Sequence, residues 1–148
     1  MTRIRISAIL LIAFVIGQGQ GASSAPAAEP KWNQQQVLGL GEKLVRALDE
    51  TAAAAREAPP QATVLQQRTR DDARNSFDQV RRAAGDYAAK LRKGWDRDMS
   101  MASFRSVRVL FRDTRQSARN AVPTEKVDQK LREVERLLEE LSRFYPDA

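Results

Sequence analysis

The chain has 148 residues, 30% of them charged, and 25 Lys and Arg against 19 Asp and Glu give it a net charge of +6. It contains no histidine and no cysteine, which excludes Ser-His-Asp and Cys-His catalysis, zinc sites of the usual kind, Glu-x-x-His di-iron sites and disulfides. The basic excess permits an anionic partner but does not require one.

Residues 1–28 have the layout of a secretory signal peptide. Arg3 and Arg5 form a basic start, residues 6–16 are apolar apart from Ser7, and an Ala-Pro-Ala segment at 25–27 supplies small residues for cleavage. The apolar run is shorter than the about 20 residues that span a bilayer. We therefore expect cleavage and export, either to a periplasm or as a secreted protein. The alternative is an anchor that stays attached.

Residues 29–148 are expected to form one all-α domain with no transmembrane segment. Cleavage leaves 120 of the 148 residues and lowers the net charge from +6 to +4. Apolar positions recur at steps of three and four and predict helices over roughly residues 33–57, 64–93, 101–121 and 124–145. Short connections and seven-residue repeats predict an antiparallel up-down-up-down four-helix bundle with left-handed packing. A dimer of helical hairpins is the alternative, so monomer and helical dimer both stay open.

The first two helices carry clear signals at their ends. Gly39 and Gly41 lie inside the first, and they either permit close approach of a neighbour or mark a later helix start. The dipeptide at 59–60 (Pro-Pro) ends it. Thr63 is suited to cap the second helix, and Gly94 to terminate it.

The last two helices are separated by a proline. A polar turn containing Asp96, Asp98 and Ser100 precedes the third helix and offers N-caps. Pro123 breaks the pattern, and Thr124 can then cap the fourth helix.

The third helix carries a regular series of arginines, here called the arginine stripe. Its members are Arg105, Arg108, Arg112, Arg115 and Arg119. Steps of three and four align them on one side of the helix, next to the apolar face.

Part of the stripe has acidic candidates on the fourth helix. Folding the two helices antiparallel about residue 122 predicts the interhelical ion pairs Arg115–Asp128 and Arg108–Glu135. Such pairs contribute about 0–1 kcal/mol each when exposed and mainly set register.

The rest of the stripe is a candidate anion-binding surface. Arg105, Arg112 and Arg119 lie further from the seam between the helices and have no obvious acidic partner in the sequence. Phe104 and Phe111 belong to the core face, so no aromatic platform for single-stranded nucleic acid is expected.

Other candidate sites are weaker. Met99 and Met101 are soft thioether ligands for copper(I) in principle, but two methionines make a poor site and no metal is expected. Trp32 and Trp95 are expected at the ends of the core or as lids over it. No cofactor is expected.

The sequence therefore favours a non-catalytic exported bundle that acts as a protein-binding or structural module of the cell envelope. One alternative is a binder of anionic envelope surfaces, such as lipid headgroups, through the arginine stripe. A second is a carrier of a small molecule or metal in the bundle core. No nucleic acid partner is expected.

We expect the mature protein recovered from its native envelope to begin at Ala28 or Glu29, because signal cleavage follows small residues. Mass spectrometry of the N-terminal peptide checks this. A membrane-bound form that begins at Met1 would contradict cleavage and favour the anchor.

Overall fold

The computed structural model describes residues 30–58, 63–121, 124–146 and 148. They contain four helices and no strand: α1 (Gln34–Glu57), α2 (Val64–Arg92), α3 (Arg97–Ala121) and α4 (Glu125–Ser142). The expected all-helical fold with four helices is confirmed. The predicted signal peptide and the prolines at 59, 60 and 123 lie outside the described residues. None of the described helices combines the length and the apolar character needed to cross a membrane.

Most helix ends form as the sequence predicts. Thr63 and Gln66 make a reciprocal capping box at the start of α2, with both hydrogen bonds at 3.2 Å. Thr124 caps α4 by accepting from the Val127 N–H at 3.3 Å. Gly94 follows α2 with φ +83°, a left-handed conformation that glycine adopts without steric cost.

Two helix ends differ from the expected positions. α3 begins at Arg97, one turn before Met101, because the Asp96 carboxylate accepts from the Met99 N–H at 3.0 Å and caps the helix there. α4 ends at Ser142 rather than at residue 145, and the chain continues in tighter turns, with Tyr145 N–H donating to the Ser142 carbonyl at 3.0 Å.

The core is built from one apolar stripe per helix. The seven-residue repeats read from the sequence are buried, with such members as Val37, Leu44, Leu48, Phe77, Val80, Leu91, Phe104, Val107, Phe111, Leu131, Val134 and Leu141. The period of three and four residues therefore identifies the buried faces of all four helices.

One end of the core holds an aromatic cluster around Tyr145. The Phe104 ring stacks on Tyr145 with centroids 4.5 Å apart, and Trp32 meets Tyr145 edge-on at 5.5 Å. The Tyr145 hydroxyl lies 2.9 Å from the Tyr87 hydroxyl and 2.8 Å from Ser100 Oγ. The hydroxyls of this buried cluster thus satisfy one another, as buried polar groups must.

Gly41 allows α1 and α2 to approach closely. A Cβ atom at this position would lie 3.2 Å from Leu91 Cδ1 and 3.4 Å from Tyr87 Cε1. Gly39 has no such neighbour within 4 Å. Since α1 begins before both glycines, close approach explains Gly41, and a later helix start is not the explanation.

Helix α1 is flanked by α2 on one side and by α4 on the other. Within the described residues, five ion pairs join it to these neighbours: Glu42–Arg92, Asp49–Arg81 and Arg56–Asp78 with α2, and Glu50–Lys130 and Glu57–Lys126 with α4. The acids of α1 therefore divide between two neighbouring helices, and they fix its register on both sides.

Arg70 is buried at the end of α1, although it belongs to α2. Its guanidinium donates to the carbonyl oxygens of Ala55 at 3.4 Å, Arg56 at 3.2 Å, and Ala58, with 4% of the residue exposed. These last carbonyls of α1 lack partners within their own helix. A fixed positive charge there also interacts favourably with the helix dipole.

The Leu131→Asp variant should lower the free energy of unfolding by roughly 3–5 kcal/mol, because it buries an unpaired carboxylate on the core stripe. Leu131 is 2% exposed. Urea unfolding followed by circular dichroism measures the change.

The matched control is Gln129→Asp, at an exposed position of the same helix, which should change stability by less than about 0.5 kcal/mol. Equal stability of the two variants would show that the assigned core face of α4 is wrong.

Candidate functional site: a groove between α3 and α4

Helices α3 and α4 approach each other closely over only a short part of their length. The space between them is a solvent-open groove of about 520 Å³, a volume within the range of natural ligand sites. Its lining consists of Arg105, Arg108, Val109, Phe111, Arg112 and Arg115 from α3, Glu135, Leu138, Glu139 and Ser142 from α4, and Ala148.

The floor of the groove is apolar. Phe111 and Leu138 form it from opposite helices and are almost fully buried against the core. Val109 lies on the α3 side and is 48% exposed. A partner that covered Val109 would therefore remove apolar surface from water, at about 25 cal/mol for each Å².

The α3 wall of the groove consists largely of the arginine stripe. Arg105, Arg108, Arg112 and Arg115 line it, whereas Arg119 does not and is exposed in the last turn of α3. Two of the three candidate anion-binding residues, Arg105 and Arg112, therefore lie at the groove.

Arg115 pairs with Glu135 of α4, and not with Asp128 as the sequence argument expected. Asp128 and Glu135 are seven residues apart and lie on the same face of α4. The sequence therefore predicts the correct faces of α3 and α4, but the position of one helix along the other differs by one seven-residue repeat. Helical side chains lean toward the N-terminus of their own helix. Arg115 thus leans away from the α3–α4 connection and Glu135 leans toward it. Asp128 instead lies in the first turn of α4, where a carboxylate interacts favourably with the dipole.

Arg108 also has a different partner from the one expected. Its guanidinium donates to the main-chain oxygen of Ala148 rather than to Glu135, and it lies 5.9 Å from the centroid of the Phe104 ring. Ala148 therefore lies at the groove and forms part of its lining.

Arg112 has an acidic neighbour, Asp113, at the next position of α3. Its Nε lies 3.2 Å from Asp113 Oδ1, with 76% and 64% of the two side chains exposed. Pairs this exposed contribute at most about 1 kcal/mol and hold neither side chain firmly. Arg112 can therefore turn toward a ligand in the groove at little energetic cost.

The groove lining offers recognition groups more than reactive ones. Arginine guanidinium groups do not deprotonate in proteins, and Glu135 is held by Arg115. The Ser142 hydroxyl donates to the Leu138 carbonyl of its own helix at 2.7 Å. The described residues contain no group of three or more His, Cys, Asp or Glu placed to hold a metal ion.

The buried Tyr87 and Tyr145 are also poorly suited to acid–base chemistry. Burial raises the pKa of Tyr87 and of Tyr145 above the ordinary value for tyrosine. Both hydroxyls therefore stay protonated, and they bind each other inside the core.

Met99, Met101 and Trp95, which were weaker candidates in the sequence, do not form a site together. Met99 and Met101 are two residues apart on α3, so they point to different sides of the helix; Met99 is exposed and Met101 packs against the core. Trp95 is partly buried, with Lys90 Nζ 5.1 Å from its ring centroid.

No family model matches the chain, and neither does any curated protein or solved structure with which it was compared.

Reversing the charge of one partner, as in Arg115→Glu or Glu135→Arg, should lower the free energy of unfolding by about 1 kcal/mol. The double reversal should recover part of that loss, because the pair is only about one-third exposed, and added salt should weaken the coupling. Urea unfolding of the four proteins measures it.

Arg112→Glu with Asp113→Arg is the matched control and should give little coupling, since both side chains are mostly exposed. Coupling of Arg115 to Asp128 instead of Glu135 would contradict the observed register.

Proposed function

We propose that the chain is an exported, non-catalytic protein-binding module of the cell envelope, and that the α3–α4 groove is its binding surface. The observation that carries this proposal is the groove itself. An apolar floor of Phe111 and Leu138 lies between charged walls, where α3 and α4 separate. Apolar troughs with charged rims are typical of surfaces that bind helices.

The proposed architecture is an up-down-up-down antiparallel bundle with left-handed heptad packing. The order of the ion pairs between α1 and α2 supports it. Glu42 near the start of α1 pairs with Arg92 at the end of α2, whereas Arg56 near the end of α1 pairs with the earlier Asp78. The seven-residue spacing of the buried stripes supports the packing mode.

Export is supported by the arrangement of the N-terminal sequence. Residues 1–28 have basic, apolar and small-residue parts in the order of a signal peptide. The first helix starts at Gln34 and is capped by Asn33, so the proposed cleavage point precedes the domain. Cleavage would remove no part of the described core.

A non-catalytic role is supported by the chemistry of the side chains. Histidine and cysteine are absent from the chain, and Ser142 in the groove binds its own helix. Recognition by arginines and apolar contact is the activity that the groove lining supports best.

The anionic-surface alternative has one observation in its favour. Met99 and Val109 are exposed apolar residues on the same helix as Arg105, Arg112 and Arg119. Apolar residues among arginines suit the surface of an anionic membrane. Glu139 on the facing wall would repel headgroups, so we rank this function second.

Carriage of a small molecule in the bundle core has less support. The rings of Tyr87, Phe104 and Tyr145 pack together inside one end of the core. The 520 Å³ space lies between α3 and α4 instead.

Replacing Val109 by the photoreactive residue p-benzoylphenylalanine should yield a protein adduct when native cells are irradiated, because Val109 lines the groove. Val64, which is 74% exposed on α2, provides the control position and should yield none. Immunoblotting with protease treatment of the adduct identifies it as protein.

Equal labelling at Val109 and Val64, or no adduct at either, would contradict a binding surface at the groove. A lipid adduct at Val109 would replace the proposal by the anionic-surface alternative.

A further inference from the structure

We infer that one end of the bundle is a docking surface for the anionic headgroups of a lipid membrane, bound through Lys31, Lys93 and Arg143. This end, here called the aromatic end, holds the cluster around Tyr145. None of the three bases lines the α3–α4 groove, so the inference goes beyond the proposed function and does not rest on it. It also differs from the anionic-surface alternative, which uses the arginine stripe.

The ends of all four helices meet at the aromatic end. Trp32, just before α1, meets Tyr145, just after α4, with ring centroids 5.5 Å apart. The Tyr145 hydroxyl lies 2.8 Å from Ser100 Oγ in the first turn of α3. Gln34 Nε2, at the start of α1, donates to the Leu91 carbonyl near the end of α2 at 2.7 Å. Residues next to these contacts in sequence therefore belong to one end face of the bundle.

Three bases of this end face are available to an external anion. Lys31 lies next to Trp32, and Lys93 and Arg143 are the C-cap residues of α2 and α4. All three are exposed. Within the described part of the chain, none of their side chains makes an ion pair or a hydrogen bond. An anion that bound them would therefore not have to displace a partner inside the protein.

The other charges near this end face are already matched. Arg92 pairs with Glu42 at 3.1 Å, and Arg97 pairs with Asp98 at 3.4 Å. The Asp96 carboxylate caps α3 by accepting from a main-chain N–H. The three bases therefore remain as excess positive charge, which complements an anionic surface.

Apolar side chains accompany the bases. Trp95 lies between α2 and α3, is partly buried, and has Lys90 Nζ 5.1 Å from its ring centroid. Met99 follows in the first turn of α3 and is 51% exposed. Tryptophan is enriched where membranes meet water, because its ring has an apolar body and a polar N–H. Bases beside exposed apolar residues are the composition of a surface that lies on headgroups.

The N-terminal residues join the bundle at this same end, because α1 begins at Gln34. The apolar run at residues 6–16 is therefore connected to the aromatic end through residues 17–33. A chain held at a membrane by that run, before cleavage or as an anchor, would bring this end nearest to the lipid. The connection favours a lipid surface over a soluble anion as the occupant.

Co-sedimentation of the mature chain with vesicles of phosphatidylglycerol and phosphatidylcholine in equal parts tests the inference. The unchanged protein should bind these vesicles and not vesicles of phosphatidylcholine alone, and added salt should weaken the binding. Lys31→Gln/Lys93→Gln/Arg143→Gln should bind about a hundredfold more weakly, since each base near an anionic surface contributes about a fivefold factor.

The matched control is Arg68→Gln/Arg82→Gln/Arg132→Gln, which removes the same charge from exposed positions of α2 and α4. Each position lies at least about 15 Å along its helix from the aromatic end, beyond the Debye length of about 8 Å at physiological salt. This variant should therefore bind about as tightly as the unchanged protein. Circular dichroism confirms that each variant is folded.

Tryptophan fluorescence tests which end faces the lipid. The chain has two tryptophans, so Trp32→Phe leaves Trp95 as the only one. Brominated phosphatidylcholine in the anionic vesicles should quench its emission and shift the remainder to shorter wavelength. Emission that the brominated vesicles leave unchanged would contradict docking through the aromatic end.

Equal loss of binding in the two triple variants, or no binding of the unchanged protein, would overturn the inference. Loss in Arg112→Gln/Arg119→Gln, without loss in the aromatic-end variant, would assign lipid binding to the arginine stripe instead. Retention on immobilised heparin without vesicle binding would replace the lipid surface by a soluble polyanion. The Val109 adduct reports on the groove, so its outcome and that of the vesicle experiment are independent.

Discussion

Burial of one apolar stripe per helix is the constraint on which the fold depends. The chain has no cysteine, so no disulfide limits the unfolded ensemble, and hydrophobic burial must supply most of the stability. Side chains such as Leu44, Phe77, Phe104 and Leu131 are buried in one hydrophobic core. Most charged residues then lie on the flanks and the outer surface of the helices, and the buried Arg70 is an exception.

The charges divide into those that hold the bundle together and those that remain at its surface. Helix α1 uses its acids on both sides, toward α2 and toward α4. The seam between α3 and α4 is different, since α3 contributes an arginine at almost every turn from Arg105 to Arg119. This side of the bundle therefore combines excess positive charge on one wall with an apolar floor below it.

Sequence periodicity predicts the buried faces because burial is set by the side chain's angle around its own helix. The caps at Thr63 and Thr124 and the terminator Gly94 were also predictable, since each acts through its immediate neighbours. The pairing of Arg115 with Glu135 was not predictable from the sequence, because register depends on how far two side chains lean along different helices.

Two further features of the fold lay beyond local reasoning. The groove exists because α3 and α4 diverge. The spacing of residues within one helix carries no information about the distance between two helices. Arg70 is likewise buried at the end of another helix, a contact fifteen residues away from Ala55 in sequence. Arg70 thus acts as part of the interior.

The hydroxyl cluster of Tyr87, Tyr145 and Ser100 makes the stability of the fold depend on pH in the basic range. An unfolded tyrosine loses its proton near pH 10, whereas burial keeps the pKa of both native tyrosines above that value. Above pH 10 the unfolded chain therefore binds fewer protons than the native one, and stability falls as the pH rises. Below that pH both forms hold the same tyrosine protons, so these two tyrosines add no pH dependence there. Their contribution to stability is thus retained in acid and lost in base.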